Sequence, residues 1–334
     1  MLHDLGIGPA TIVIFASMIA LLLAGMPLGF LSGLVALGAA FFWFGSTNVL
    51  QMVAARVSDF TMSYVFVAVP MFVLMASMLD KPGIAKALYN AMRIMAGRLR
   101  GGVAVQSMIV AVLMAAMSGI IGGETVLLGM LALPQMLRLG YNQNLAIGTV
   151  VSGGALGTMV PPSIVLIIYG LSANVSVGDL FVAAVTPGLM LAALYAIYVL
   201  IRCVIDPKLA PPLPPIPKEE RRAVKIEAVK AIILPPAIAF MVLGTIYAGI
   251  ASVTEAAAMG VFGVLIAIGI RREFSFKLMQ ESVTQTMNTC GMIIWIGVGA
   301  AILVGVYNLM GGNRFVSSTI LGIDAAPIVI IIVM

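Results

Sequence analysis

Long apolar runs separated by short polar connections make up most of this chain. A bilayer core of about 30 Å needs roughly 20 apolar residues per helix, so runs of this length predict membrane-spanning helices. The runs are continuous rather than alternating, which predicts helices and not strands. The predicted spans are residues 9–25, 28–46, 61–79, 143–171, 180–201, 231–248, 250–270 and 291–309.

Composition supports the same fold class. Of 334 residues, 62% are hydrophobic and 9% are charged, which excludes a soluble globular domain and predicts an all-α polytopic membrane protein. The net charge of +5 comes largely from connecting loops, so it indicates topology and not a nucleic-acid surface. Cys203 and Cys290 lie at opposite ends of apolar segments and indicate neither a disulfide framework nor a metal site.

A basic connection, residues 81–100, follows the first spans (scaffold helices, residues 1–80). Basic residues in short connections favour the cytoplasmic side. Apolar residues at helical spacing share one face, which predicts an amphipathic arm along the membrane interface, although an ordinary loop helix fits almost as well. These apolar residues are Ile84, Leu88, Ala91 and Met95.

A re-entrant helical hairpin is predicted over residues 101–138. From Gly101 to Leu137 the only charged residue is Glu124, and these 37 residues are too many for one span and too few for two spans with a turn. Arginines flank both ends, so both ends favour the cytoplasm. The glycine-containing stretch SGIIGGET, residues 118–125, permits the turn. A single long kinked span is the alternative.

The remaining elements predict an inverted repeat. The span 143–171 leaves the cytoplasm, the span 180–201 returns, and a proline-rich linker follows over residues 203–230. Features before residue 100 recur after residue 230 at an offset of about 224 to 230 residues and an odd number of crossings, a pattern found in secondary transporters. Chance similarity between apolar segments is the alternative.

Two repeats are therefore expected, residues 1–230 and residues 231–334. On this hypothesis the second repeat is truncated before its own hairpin, and roughly 100 residues would be missing if the repeats are symmetric.

The span 143–171 contains a break at GTMVPPS, residues 157–163. Pro161 and Pro162 donate no backbone hydrogen bond, so the carbonyls of residues 154–158 are expected to be freed. Irregular backbone at membrane depth persists only against protein or beside an aqueous cavity. Freed carbonyls beside the hairpin tip predict a site for a monovalent cation, whereas a proline kink used only for packing is the alternative.

Polar residues near these breaks are candidates for substrate binding. The half-helices that begin near Thr125 and Ser163 present positive dipole ends to an anionic substrate. Glu124 is a substrate-site carboxylate, a cation ligand, a proton carrier or a cap of the returning half-helix, and the sequence does not separate these roles.

The stretches SGIIGGETVLLGMLALPQMLRLGYNQNLAIG and GGALGTMVPPSIVLIIYG resemble the large membrane subunit of tripartite ATP-independent periplasmic (TRAP) transporters, and GIASVTEAAAMGVFG resembles the start of that family's second half. The resemblance implies an elevator-type, sodium-coupled importer of organic acids in the bacterial inner membrane. It also implies two partners, a small membrane subunit and a periplasmic solute-binding protein.

The resemblance implies sodium sites at the hairpin tip and the broken span. The corresponding residues here are Ser118, Gly119, Gly157, Thr158, Val160, Pro161 and Pro162. Ile120 and Ile121 stand where family members commonly carry small hydroxyl residues or alanine.

An ion channel and an enzyme are the alternatives to a solute importer. An ion channel, or another ion-coupled carrier, would also use the broken helix as a cation site. An enzyme is not expected, because the only histidine is His3 and no Ser-His, paired-Asp or HExxH arrangement occurs. No cofactor is expected beyond sodium as the coupling ion.

Overall fold

A computed structural model of the chain describes residues 6–45, 49–80, 99–119, 123–212, 233, 236–270 and 272–322. All regular elements in these ranges are helical, which confirms the predicted all-α class. The helices are α1 Ile7–Leu23, α2 Leu28–Phe44, α3 Val49–Thr61, α4 Ala68–Asp80, α5 Gly102–Ser118, α6 Gly123–Arg138, α7 Gln143–Ala155, α8 Ile164–Ala173, α9 Val177–Ile205, α10 Pro236–Tyr247, α11 Val253–Ile270, α12 Phe276–Leu309 and α13 Gly312–Leu321. Short 3-10 turns cover Tyr64–Val67 and Leu156–Thr158.

Several predicted segments fall wholly or mainly outside the described residues. They are the arm (81–98 of 81–100), the centre of the hairpin turn (120–122), most of the linker (213–232) and the end of the chain (323–334).

The helices have the lengths and composition of a multi-pass membrane protein. Within the described residues, α9, α11 and α12 are each long and apolar enough to cross a bilayer, and α3 with the segment Tyr64–Leu79 forms a fourth candidate bent by 52°. The shorter apolar helices are α1, α2, α5, α8 and α10.

Some predicted boundaries differ from the observed ones. The span predicted at 291–309 belongs to a helix of 34 residues that begins at Phe276, because polar residues such as Gln280 and Thr284 occupy helical positions without interrupting it. Helix α3 was not predicted, since its sequence is only moderately apolar. Helix α9 extends to Ile205, so the predicted linker begins inside a helix.

The chain divides into two compact units. The first unit contains residues 1–63 and 291–334, and the second unit contains residues 64–290. Each unit therefore takes residues from the predicted first repeat and from the predicted second repeat. All the candidate site residues fall in the second unit.

Glycines allow close helix packing inside the first unit. A Cβ atom placed on Gly29 would lie 2.6 Å from Trp295 Cδ1, and one placed on Gly297 would lie 2.5 Å from Phe60 Cζ. Such contacts are typical of membrane helices, whose association depends on van der Waals packing between small residues. A hydroxyl pair, Thr11 Oγ1 and Tyr307 OH at 3.0 Å, joins the first helix to the last part of α12.

In the second unit, α4 packs along α11 and a second pair of helices forms the hairpin. A Cβ atom on Gly260 would lie 2.5 Å from Met75 Sδ, which shows how closely α11 approaches α4. Helices α5 and α6 pack against each other and against α7. This arrangement places the hairpin beside the broken span, as the sequence predicted.

Candidate functional site

The backbone of the predicted broken span is interrupted where Pro161 and Pro162 stand. Helix α7 ends at Ala155, the 3-10 turn follows, and α8 begins only at Ile164. The Pro161–Pro162 peptide bond is cis. Residues 160–163 are all buried, so the irregular backbone is enclosed by protein.

Most of the carbonyls expected to be free at this break accept hydrogen bonds. Leu156 O accepts from the Met159 and Val160 amides at 3.0 and 2.9 Å. Thr158 Oγ1 donates to Ala155 O at 2.9 Å, and Ser163 Oγ donates to Thr158 O at 2.8 Å. The prediction of donor-free carbonyls is therefore wrong at positions 155, 156 and 158.

The physical reason is that the chain tightens and side chains replace the missing amides. The 3-10 turn supplies donors to Leu156 O, and the Ser163 hydroxyl takes the place of the N–H donor that Pro162 lacks. A carbonyl oxygen has two lone pairs. Leu156 O, which accepts from two amides, uses both lone pairs, whereas Thr158 O, which accepts from the Ser163 hydroxyl, keeps a second lone pair with which to coordinate a cation.

The hairpin tip contacts the broken span through Gly119. Helix α5 ends at Ser118, and Gly119 follows in the left-handed conformation with φ of 58°. The Ile164 amide donates to Gly119 O at 3.2 Å. A Cβ atom on Gly119 would overlap Pro162 O and lie 3.3 Å from Ser163 Cα, so glycine is the residue that fits this junction.

The returning helix of the hairpin contacts the broken span at two more glycines. A Cβ atom on Gly157 would lie 2.8 Å from Glu124 Cδ, and one on Gly154 would lie 2.8 Å from Thr125 Cα. The Glu124 side chain is 2% exposed and belongs to the first turn of α6, where the helix dipole favours a carboxylate.

A third element, α9, covers the break from another direction. A Cβ atom on Gly188 would lie 3.3 Å from Met159 O. Neither Gly154 nor Gly188 is among the contact residues predicted from the sequence. The signal that was available is the GG pair at 153–154 and the PG pair at 187–188, because small residues in membrane helices mark close approach.

The structure thus brings the predicted residues together at one buried junction in the second unit. Gly119 of the hairpin meets Pro162, Glu124 meets Gly157, and Thr125 meets Gly154. Ser118 directly precedes Gly119, and Val160 and Pro161 lie inside the break. Ser163 is only 1% exposed, and its hydroxyl donates a hydrogen bond to Thr158 O. Oxygen donors of this kind suit a hard cation.

Comparison with known proteins identifies the family. The family described as the tripartite ATP-independent periplasmic transporter, DctM component, matches residues 15–334. The chain belongs to this family.

Related TRAP permeases are similar along most of the chain. The ectoine TRAP transporter large permease protein of Halomonas elongata is 30% identical over 86% of this chain and 67% of its own length. C4-dicarboxylate TRAP transporter large permease proteins are 31% identical in both Rhodobacter capsulatus (88% of this chain, 68% of the relative) and Vibrio cholerae (79% and 57%).

This TRAP chain spans roughly two thirds of the length of those relatives, between 57% and 68%. Its relatives are transporter permeases and not enzymes, which confirms that part of the sequence analysis. The family match confirms the resemblance that the hairpin and Pro-Pro stretches indicated.

Proposed function

We propose that this chain functions as the membrane subunit of a sodium-coupled secondary transporter in the bacterial inner membrane. It imports organic-acid solutes that a periplasmic binding protein delivers, and it works with a small TRAP membrane subunit. The observation that carries the proposal is the buried junction at which the Gly119 carbonyl meets the first amide of α8. The family membership supports the transport class.

Sodium is proposed to bind at this junction. Its ligands would come from the backbone and hydroxyl oxygens of Ser118, Gly119, Gly157, Thr158, Val160, Pro161 and Pro162. The junction is suited to this because Gly119 brings the hairpin backbone against the backbone of Pro162, and Gly157 leaves room for the Glu124 carboxyl group beside the broken span. Oxygen dipoles gathered at a helix break coordinate sodium in discontinuous-helix carriers.

The solute is proposed to bind beside the same junction, near Thr125 and Ser163. These residues mark the beginnings of α6 and α8, whose dipoles favour an anionic group. Glu124 is the third candidate, and its carboxylate would repel an anionic solute and attract a cation. We therefore assign Glu124 to the cation side of the site, where it would balance sodium and keep the solute at a distance.

An elevator-type cycle would carry this site as one body. The hairpin, the break and α9 all belong to the second unit, and contacts between them hold the junction together. The inverted repeat would supply a second hairpin and a second broken span of the same kind. We propose that the second unit is the mobile one and that the repeat generates its two access states.

The test of this proposal is uptake by the complete protein reconstituted with its small subunit in vesicles. A radiolabelled C4-dicarboxylate bound to the periplasmic binding protein serves as the probe, because two of the relatives above carry that solute in their names. We expect uptake only when an inward sodium gradient and the binding protein are both present. Vesicles with potassium in place of sodium, and vesicles without binding protein, are the controls.

Other outcomes would separate the competing functions. A sodium current that needs neither solute nor binding protein would indicate a channel. Uptake that continues at full rate in potassium would contradict sodium coupling while leaving the carrier assignment intact.

A further inference from the structure

A cavity of about 380 Å³ lies in the second unit, apart from the junction described above. It is formed by α7, the last turns of α9, the segment that follows α9 and Met108 of α5. None of the proposed sodium or solute residues lines it. The volume falls in the range of about 300–1,000 Å³ that is typical of small-molecule sites.

The polar side chains that line this cavity carry hydrogen-bond donors and one positive charge, and apolar side chains complete the lining. Arg202 supplies the charge, and the hydroxyls come from Tyr195, Tyr198, Thr149 and Ser152. The lining includes no aspartate or glutamate among the residues that the structure describes. The chemistry of the cavity therefore favours an anion over a cation or a neutral solute.

The donors of Arg202 and the two tyrosines are available to a ligand, whereas the Thr149 hydroxyl already donates to Leu145 O at 2.8 Å. Within the described ranges, no carboxylate forms an ion pair with Arg202, and neither tyrosine hydroxyl donates to another residue. The amides at the start of α7 are different, because Asn144 and Leu145 donate to the Asn142 side chain at 3.0 and 3.3 Å. The anion would therefore be held by side chains and not by the helix terminus.

The position of the cavity points to the membrane surface. Arg202 lies in the last turn of α9, an apolar helix of 29 residues that is long enough to cross the bilayer. Tyr198, one turn before Arg202, is 60% exposed. Tyrosines and arginines at the end of a span lie at the level of the lipid head groups, and basic pockets there bind anionic lipids.

We propose that this cavity binds a phosphate group, with Arg202 as its charged ligand and the Tyr195 and Ser152 hydroxyls as further donors. The planar guanidinium matches the oxygens of a phosphate in a bidentate arrangement. The phosphate comes either from an anionic phospholipid in the surrounding leaflet or from free phosphate in solution. Since the cavity adjoins α5, α7 and α9, an occupant would contact the hairpin and the broken span at once.

The test is a binding titration with the complete purified protein in detergent. The probes are short-chain phosphatidylglycerol, the corresponding diacylglycerol without phosphate, and inorganic phosphate. We expect Arg202→Gln to weaken binding of phosphatidylglycerol about fivefold or more, since one basic side chain near a membrane surface contributes at about that level. Arg138→Gln is the matched control, because Arg138 ends α6 and does not line the cavity.

A second variant keeps the charge and fills the space. Gly148 lines the cavity, and no atom lies within 4 Å of a Cβ placed on it, so Gly148→Leu enters open space and occupies the site. We expect Gly148→Leu to lose binding as well. The matched control is Gly269→Leu, because a Cβ on Gly269 also meets no atom within 4 Å and that residue lies outside the cavity.

Some outcomes of this titration would identify the source of the phosphate, either phospholipid or free phosphate, and others would overturn the proposal. Binding of inorganic phosphate that depends on Arg202, without binding of phosphatidylglycerol, would assign the site to free phosphate. Diacylglycerol that binds as tightly as phosphatidylglycerol would overturn the proposal, and so would equal binding by all four variants and the parent. The Gly148→Leu variant gives the answer if Arg202→Gln does not fold. A failure to bind phosphate would not contradict the proposed sodium-driven uptake, because the sodium site uses other residues.

Discussion

Gly119→Ala is expected to destabilise the second unit by about 2–5 kcal/mol and to remove most sodium-driven uptake. Two costs combine at this position. The backbone has φ of 58°, which costs an L-residue about 1–2 kcal/mol. The new methyl group would also overlap Pro162 O, and pushing the hairpin tip away from the break adds about 1–3 kcal/mol of overpacking.

A matched glycine separates these two costs. Gly249 also has a positive φ, 66°, but no atom lies within 4 Å of a Cβ placed on it. Gly249→Ala should therefore show the backbone cost alone and keep its uptake. Unfolding in detergent and uptake in vesicles would be measured for both variants. Equal losses in the two variants would mean that contact between the hairpin tip and Pro162 contributes nothing.

Gly157→Ala is expected to displace the Glu124 carboxyl group from its buried position. The added methyl would lie 2.8 Å from Glu124 Cδ and 3.0 Å from Oε1, which is too close for either atom. We expect a loss of about 1–3 kcal/mol in the free energy of unfolding, as for other overpacked sites. Because the displaced group is a carboxylate beside the proposed cation site, the sodium dependence of uptake should shift to higher concentration.

A double-mutant cycle with Glu124→Ala tests that explanation. Once the carboxyl group is removed, the methyl of Gly157→Ala no longer overlaps it. The double variant should therefore lose less free energy of unfolding than the two single variants lose together, by at least about 1 kcal/mol. Glu124→Gln then separates shape from charge. Normal sodium dependence in Glu124→Gln would restrict the residue to capping α6, whereas a raised sodium requirement would support the cation role.

The sequence was sufficient to predict the hairpin and the broken span. The glycines of 118–125 and the prolines at 161–162 stand in long uncharged stretches, where an interruption of the helix has few explanations. The helix ends agree with a turn and a break at these positions, since α5 ends at Ser118 and α8 begins at Ile164. The centre of the turn, residues 120–122, lies outside the described residues, and the re-entrant path of the hairpin stays a prediction. The helix ends are local properties of backbone chemistry, so no knowledge of tertiary contacts was needed.

Other parts of the site depend on contacts that a single sequence does not reveal. The Ser163 hydroxyl donates five residues back to Thr158 O, and the Ile164 amide donates to Gly119 across 45 positions of the chain. Counting missing proline amides alone therefore overestimated the number of free carbonyls. The importance of Gly154 and Gly188 depends on the packing of α6 and α9 against the break, which the sequence alone does not reveal.

The central claim is that sodium binds where the hairpin tip meets the broken span. Equilibrium binding of radioactive sodium to the complete purified protein tests it most directly, with Gly157→Ala compared with Gly148→Ala on the same segment. We expect saturable binding in the parent, a loss of roughly tenfold in affinity in Gly157→Ala, equivalent to about 1.4 kcal/mol, and no change in Gly148→Ala, whose methyl enters open space. Saturable binding with unchanged affinity in Gly157→Ala would contradict the account and place the sodium site elsewhere.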